Sequence, residues 1–312
     1  MSSMHDVPKR EAHSAPISVA AVRQLFAHPA RCDPSQFLRR EISARMQERL
    51  GLIKIKPERV LDAACGEGRD LLVLQQAYPE AKLLGVDAAL PMLSVAREAS
   101  TASRSALQTF VSRLLGGHRL HAPAAQLACT DFARLPLASG SVDLLWSNLA
   151  LHWHPQPHAV IADWARVLRS DGLLMFSCFG PDTFAELRDV FQAQQMPSRV
   201  LPFVDLHDYG DMLQAAGMAT PVMDMEKITL TYADAAALLA DVRAFGGNPL
   251  QDRPRGLQGR QQWQQMLNLL DQRRDSDGRI RLTVEVIYGH AFRPVPRRND
   301  QGEAIIRFEP RR

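Results

Sequence analysis

The sequence predicts an α/β protein built on a doubly wound, mostly parallel sheet of seven strands. Seven short apolar segments have the residue pattern of strands, and amphipathic segments with helical periodicity separate most of them. The chain has 312 residues, 46% of them hydrophobic, so it can form one large α/β domain or two small ones. Ligands of such sheets bind beyond the carboxyl ends of the strands, so the residues after each strand are the first candidates for a site.

The predicted strands and helices alternate from residue 58 onward. The strands are 58–65, 81–87, 125–131, 141–148, 172–180, 222–232 and 281–292. The helices between them are 70–78, 91–99, 158–168, 181–194 and 207–217. Pro91 near the start of one helix and Gly217 at the end of another are typical helix boundaries.

Further segments surround or interrupt this unit. We predict a disordered N-terminus over 1–16, a helical segment over 17–56 and a basic tail over 295–312. The domain between them, 57–294, contains a helical insert at 233–279 and a second insertion at 101–122. Each insertion forms either a lid or substrate wall, or a decoration without a role in the site.

The composition narrows the class of protein. No run of about 18 apolar residues predicts a membrane span, and the first 16 residues lack the apolar stretch of a signal peptide. The cysteines, Cys32, Cys65, Cys129 and Cys178, have no metal or redox spacing. We therefore expect no bound metal and a reducing, cytoplasmic setting.

Positive charge is concentrated in the C-terminal part. Residues 243–312 contain 14 arginines, no lysine and eight acidic residues, whereas the whole chain has a net charge of +3. This part is either a solvated arginine-rich surface or a docking face for an acidic partner. Aromatic residues do not alternate with the basic ones, which argues against nucleic acid as the partner.

The stretch LDAACGEGRD at 61–70 predicts a glycine-containing turn between the first strand and the helix that follows. In the dinucleotide fingerprint G-x-G-x-x-G, a third glycine follows the second by three positions. Registers that begin on Gly66 or on Ala64 place Leu71 or Arg69 there. The loop therefore disfavours NAD(P).

Polar residues at the ends of four consecutive strands favour S-adenosylmethionine instead. Asp62 can partner its ammonium group, and Asp87 can accept from its ribose hydroxyls. Asp131, beside the apolar Phe132, can accept from the adenine amino group, and Asn148 ends the fourth strand. Alternatively, Asp87 or Asp131 caps the helix that follows it.

Four segments carry a resemblance to a known family: VLDAACGEGRD, LLGVD, ACTDFARLPLASGSVDLLWSNLALHW and WARVLRSDGLLMFSCFGPDTFAELRDVF. They resemble class I S-adenosylmethionine-dependent methyltransferases, which implies a seven-stranded Rossmann-like sheet. More narrowly, SNLALHW, GPDTFAELR and TVEVIYGHAF resemble the malonyl-[acyl-carrier protein] O-methyltransferases of biotin synthesis. The cofactor-binding positions that we expect are Asp62, Ala64, Cys65, Gly66, Gly68, Asp87, Ala88, Met92, Asp131, Phe132 and Asn148.

The resemblance implies methyl transfer to the free carboxylate of a malonyl thioester. The partner is then the acidic malonyl-acyl carrier protein or malonyl-coenzyme A, and we expect neither a membrane nor nucleic acid as partner. A cation is needed to recognise the malonyl group, and Arg188 is our candidate unless it is an ordinary surface arginine. Cys32, His152 and Trp153 are further candidates for the substrate pocket.

Three departures from the family pattern keep other functions open. The family usually has glycine where Ala64 stands, tyrosine where Cys32 stands and glutamine where His152 stands. The same narrow segments also resemble a mitochondrial complex I assembly factor that is associated with arginine hydroxylation. The alternatives are therefore a methyltransferase-fold assembly factor or protein-arginine hydroxylase-like protein, and a cofactor-binding protein without methyl transfer.

Overall fold

The computed structural model describes residues 17–101, 125–196, 199–251 and 259–295. Its strands are β1 (Arg59–Ala63), β2 (Lys82–Asp87), β3 (Gln126–Cys129), β4 (Val142–Ser147), β5 (Leu168–Phe179), β6 (Ala219–Tyr232) and β7 (Ile280–Phe292). They form one sheet in the order β3-β2-β1-β4-β5-β7-β6. The first five strands are parallel, whereas β7 is antiparallel to both of its neighbours. The predicted doubly wound, mostly parallel sheet of seven strands is confirmed.

Hydrophobic layers cover both faces of this sheet. Val60 and Leu144 belong to one buried cluster, and the next residues along each strand, Leu61 and Leu145, belong to the other. This alternation follows from the two-residue period of a strand, which points successive side chains to opposite faces. All residues of the central strand β4 are buried, as expected for a parallel strand covered on both sides.

The helices are α1 (Val19–Phe26), α2 (Gln36–Gly51), α3 (Arg69–Ala77), α4 (90–101), α5 (Pro157–Val167), α6 (Ala185–Ala193), α7 (Leu206–Ala215), α8 (Ala235–Ala244) and α9 (Arg260–Asp271). Two short 3-10 turns, Pro29–Arg31 and Asp33–Ser35, separate α1 from α2 because their prolines interrupt helical hydrogen bonding. The prediction that a helix begins at 181 is wrong. Phe184 adopts a left-handed φ of 61°, so α6 begins after it.

The predicted helical insert between the last two strands is present as α8 and α9. Met266 and Leu270 of α9 lie in the same buried cluster as Leu187 of α6. Arg273 adds an ion pair to Asp189 at 2.7 Å. The predicted segment 1–16 lies outside the described residues, as do the predicted segments 101–122 and 295–312 except for their first residues. Within the described residues, no helix is both long and apolar enough to cross a membrane.

Candidate functional site

A cavity opens at the carboxyl ends of β1, β2 and β4, where strand order in the sheet reverses. Its empty space, including the open mouth, is about 970 Å³. The predicted cofactor positions in its wall are Asp62, Ala64, Cys65, Gly66, Asp87, Ala88, Met92, Phe132 and Asn148. Gly68 and Asp131 lie outside this wall. We call this space the cofactor cavity.

The loop after β1 turns sharply through three left-handed residues. Ala64, Gly66 and Gly68 have φ values of 65°, 51° and 73°. A Cβ atom at Gly68 would lie 2.8 Å from the Cβ of Ala96, so glycine serves close packing there. Ala64 carries a Cβ in a conformation that costs an L-residue roughly 1–2 kcal/mol. The departure from glycine at this position is therefore a source of backbone strain beside the cavity.

Asp62 lies in β1 and presents a buried carboxylate to the cofactor cavity. Its Oδ2 atom has no hydrogen-bond partner among the described residues. Burial raises its pKa well above the usual range, and the charges of Asp70 and Asp87 add to that shift. A buried carboxylate without a partner is costly, and a bound ammonium group would satisfy it.

Asp87 ends β2 and connects two loops. Oδ2 accepts from the backbone N–H of Gly66 at 2.9 Å, and Oδ1 accepts from that of Ala89 at 2.8 Å. Burial raises its pKa, and these two hydrogen bonds oppose the shift. Asp87 therefore holds the turn that leads into α4, which begins at residue 90, and does not itself cap that helix. Its carboxylate also lines the cavity, where each oxygen has a second lone pair to offer.

Asp131 follows β3 by two residues and is engaged elsewhere. Oδ1 accepts from the backbone N–H of Ala133 at 2.9 Å, and Oδ2 accepts from Nη2 of Arg23 in α1 at 2.9 Å. Its neighbour Phe132 does line the cofactor cavity. The residues after Asp131 form a turn and not a helix, so the capping alternative is wrong for Asp131. The structure places Arg23 where the sequence predicts an adenine amino group.

Three further predicted positions, Asn148, Cys32 and Cys65, lie in or next to the wall of the cofactor cavity. Asn148 accepts from the Ser177 hydroxyl at 2.8 Å and donates to the carbonyl of Arg39 at 3.2 Å. Cys32 is buried against Met92 and Ala89, so it lies behind the cavity wall. Cys65 is also buried, and burial strongly raises the pKa of its thiol, which fits packing rather than nucleophilic chemistry.

The donor and acceptor set fits S-adenosylmethionine. Glu67 lines the cofactor cavity and, like Asp62, has one buried oxygen without a partner among the described residues. Two such carboxylates suit a ligand with an ammonium and a sulfonium group, and they would repel a pyrophosphate. Phe132 and Met92 supply apolar surface in the same wall.

Comparison with known proteins agrees with this geometry. Residues 61–176 match a family model described as a methyltransferase domain. A malonyl-[acyl-carrier protein] O-methyltransferase from Laribacter hongkongensis is 47% identical over 89% of this chain and 91% of its own length. The chain belongs to the malonyl-[acyl-carrier protein] O-methyltransferase family. A second member, from Gallionella capsiferriformans, is 42% identical over 93% of this chain and 96% of its own length.

Solved structures agree at the level of the fold. The crystal structure of the YcgJ protein from Bacillus subtilis aligns with a TM-score of 0.51 and 16% identity, covering 77% of this chain and 94% of that one. The sheet order with an antiparallel β7 is the class I methyltransferase fold. Membership of the malonyl-[acyl-carrier protein] O-methyltransferase family makes S-adenosylmethionine the methyl donor.

Two substrate-pocket candidates of this family member lie beside the cofactor cavity. Trp153 lines it directly. His152 is buried, and its ring lies 4.8 Å from Trp153 and 4.7 Å from Phe179, measured between centroids. Its Nδ1 accepts from the backbone N–H of Phe179 at 3.3 Å. Burial, aided by the charge of Arg39, lowers its pKa to about 3, so the imidazole is neutral.

Arg188 is not placed at the cofactor cavity. Its guanidinium donates to the carbonyl of Thr183 at 2.7 Å and to the carbonyl of Pro181. These contacts hold the turn before α6, so the geometry does not support a role in recognising the malonyl group.

Sequence reasoning missed the residues that α1 and α2 contribute. Gln36 and Arg39 line the cofactor cavity, and Gln36 donates to Glu67 at 2.8 Å across 31 positions. The stretch QFLRRE predicts a helix with Gln36 near its start. No local pattern marks Gln36 or Arg39 as site residues, because their partners depend on how the helix packs.

Proposed function

We propose that this chain transfers the methyl group of S-adenosylmethionine to the free carboxylate of a malonyl thioester in biotin precursor synthesis. Malonyl-acyl carrier protein is the proposed substrate. The observation that carries the proposal is the near full-length likeness to relatives that are named for this reaction. Two cavities are available for the two substrates.

The residues of the cofactor cavity would bind and orient the methyl donor, S-adenosylmethionine. Asp62 and Glu67 have the free acceptors for its ammonium group, and Asp87 lies at the end of β2, where ribose hydroxyls are usually bound. When bound, S-adenosylmethionine supplies a methyl group activated by the positive sulfonium. The chain contributes alignment and exclusion of water.

The carboxylate needs no base. It is deprotonated near neutral pH, so one of its oxygens can form the new bond to the methyl carbon while the bond from that carbon to sulfur breaks. His152, whose pKa is lowered to about 3, is neutral near pH 7, so it serves as a neutral hydrogen-bond donor and transfers no proton in this step. The product is an uncharged methyl ester.

A second, larger cavity would take the rest of the thioester. Its empty space is about 1500 Å³, and aromatic rings line it, among them Phe179, Phe203 and Phe245. Arg31 and Arg199 also belong to its wall. We call it the apolar cavity and place the acyl thioester arm there, because apolar surface suits a flexible arm and arginine suits a phosphate.

We also propose that Arg243 contributes to docking of the acidic carrier. Its guanidinium lies 5.0 Å from the ring centroid of Trp263, in the wall of the apolar cavity. Arg273 and Arg274, in contrast, are paired with Asp189 and Asp271 within the chain. Electrostatic docking would act mainly on the rate of association.

Purified protein incubated with malonyl-acyl carrier protein and methyl-labelled S-adenosylmethionine tests the function. We expect a labelled, base-labile methyl ester on the malonyl carrier and no label on acetyl-acyl carrier protein, which lacks the carboxylate. Binding of the donor without label transfer to the malonyl carrier would reject methyl transfer and favour the cofactor-binding or assembly-factor alternatives.

A further inference from the structure

A small space adjoins both cavities. It shares Arg39, Leu149 and Trp153 with the cofactor cavity, and Trp153, Phe179 and Phe245 with the apolar cavity. Its empty space, including the part open to solvent, is about 210 Å³, the smallest of the three. We call this space the neck.

Arg39 brings an unpaired positive charge to the neck. Its Nε donates to the Ser35 hydroxyl at 3.3 Å, and its guanidinium carbon lies 5.5 Å from the ring centroid of Phe26. No carboxylate among the described residues forms an ion pair with it. Burial lowers its pKa, but a guanidinium stays protonated in proteins. The charges of Glu67, Asp87 and Asp70 act on Arg39 from beyond ion-pair distance, so its Nη groups are available to an anionic ligand.

His152 adds a neutral donor in the wall of the same space. Because Nδ1 accepts from the backbone of Phe179, the ring proton is on Nε2. That atom is buried and has no hydrogen-bond partner among the described residues. A buried N–H without an acceptor is costly, and a ligand oxygen in the neck would satisfy it.

We propose that Arg39 and the Nε2–H of His152 bind the carboxylate of the malonyl group in the neck. This assignment rests on the proposed function and names the residues that recognise the substrate. The two donors hold one carboxylate oxygen and leave the other directed at the cofactor cavity. The site then selects acyl thioesters that end in a carboxylate over those that end in a methyl group.

Binding without turnover tests this assignment. Malonyl-pantetheine and acetyl-pantetheine are titrated by calorimetry into protein saturated with S-adenosylhomocysteine. Wild-type protein should bind the malonyl compound tenfold or more tightly than the acetyl compound, since hydrogen bonds to charged groups contribute about 1.5–3 kcal/mol. Arg39→Met should weaken malonyl binding by about 10- to 100-fold and leave acetyl binding unchanged.

Other variants separate recognition from folding. His152→Phe should weaken malonyl binding by a smaller factor, about 3- to 10-fold, whereas His152→Gln, which keeps a side-chain N–H, should preserve most of it. Arg39→Lys keeps the charge and should weaken malonyl binding by about 3- to 10-fold even if Arg39→Met melts early. Arg59 is exposed at the amino end of β1, away from the cofactor cavity, so Arg59→Met is the matched control and should bind both compounds as the wild type does.

Two results would overturn the assignment. One is malonyl binding by Arg39→Met and Arg39→Lys that equals the wild type. The other is a loss of S-adenosylhomocysteine affinity as large as the loss for malonyl-pantetheine, which would assign Arg39 to the cofactor. If wild-type protein methylates malonyl-acyl carrier protein and Arg39→Met keeps its KM, only the assignment fails. If wild-type protein transfers no methyl group, the proposed function fails.

Discussion

Arg23 donates from Nη2 to Oδ2 of Asp131 over 2.9 Å and thereby joins α1 to the turn after β3. The two residues are 108 positions apart in the chain, and Arg23 lies in the wall of the cofactor cavity. The ion pair therefore holds α1 beside the place where the nucleoside would enter.

Replacing Arg23 by Met should weaken binding of S-adenosylhomocysteine by up to about fivefold, because a partly exposed ion pair contributes up to roughly 1 kcal/mol. Dissociation should become faster, which stopped-flow fluorescence can measure. Asp131→Asn should weaken binding further if this carboxylate also contacts the nucleoside. Equal losses in Asp131→Asn, Arg23→Met and the double variant would show that Asp131 acts only through Arg23.

The strained residue Ala64 gives a prediction about stability. Ala64→Gly should raise the free energy of unfolding by about 0.5–1 kcal/mol, because glycine adopts the left-handed φ of 65° without a steric cost. Ala63→Gly is the control, since Ala63 is a buried strand residue and should lose stability. Urea denaturation measures both. A loss of stability in Ala64→Gly would contradict the strain argument.

The sequence predicts the site residues at the ends of the strands, but it does not predict the residues of α2 that lie over them. Asp62, Asp87 and Asn148 follow from local pattern, because the carboxyl ends of neighbouring parallel strands meet at one edge. Arg39 reaches that edge through a contact across 109 positions to Asn148, which local periodicity cannot encode. Arg188 is the opposite case. It follows β5 in the chain, which suggested a role in the site, but its guanidinium donates to a carbonyl of the turn before its own helix.

The buried carboxyl of Asp62 predicts a trade between stability and binding. Burial raises the pKa of Asp62 in the folded protein, so folding favours the neutral carboxyl. The free energy of unfolding is therefore highest at low pH, where this carboxyl is neutral in both states, and it falls as pH rises through the folded pKa. Asp62→Asn should therefore be more stable than wild type at pH 8, and the difference should disappear toward pH 4. Urea titrations at several pH values measure it.

The same substitution should weaken binding in the cofactor cavity. Asp62→Asn should bind S-adenosylhomocysteine about tenfold or more weakly, because it removes the charge that faces the ammonium group. Unchanged affinity would show that the ammonium group binds elsewhere. If the difference in the free energy of unfolding between Asp62→Asn and wild type did not change with pH, burial would not raise the pKa of this carboxyl.

Arg188 gives a prediction that separates structure from recognition. Arg188→Met should lower the free energy of unfolding by about 1–3 kcal/mol, because it leaves the carbonyls of Pro181 and Thr183 without this donor. The KM for malonyl-acyl carrier protein should stay the same. A rise in that KM without a loss of stability would show that Arg188 contributes to substrate recognition.

Arg243 tests whether the carrier docks through charge. Arg243→Glu should raise the KM for malonyl-acyl carrier protein by about 3- to 10-fold at low salt and leave the KM for malonyl-coenzyme A much less affected, because steering acts on the folded, acidic carrier. Arg273→Gln is the comparison, since Arg273 is already paired with Asp189 and should change the KM little. Added salt should screen the interaction and bring Arg243→Glu and wild type together. Equal KM values for the carrier at low salt would reject docking at Arg243, and an equal rise for both substrates would assign Arg243 to the thioester arm instead.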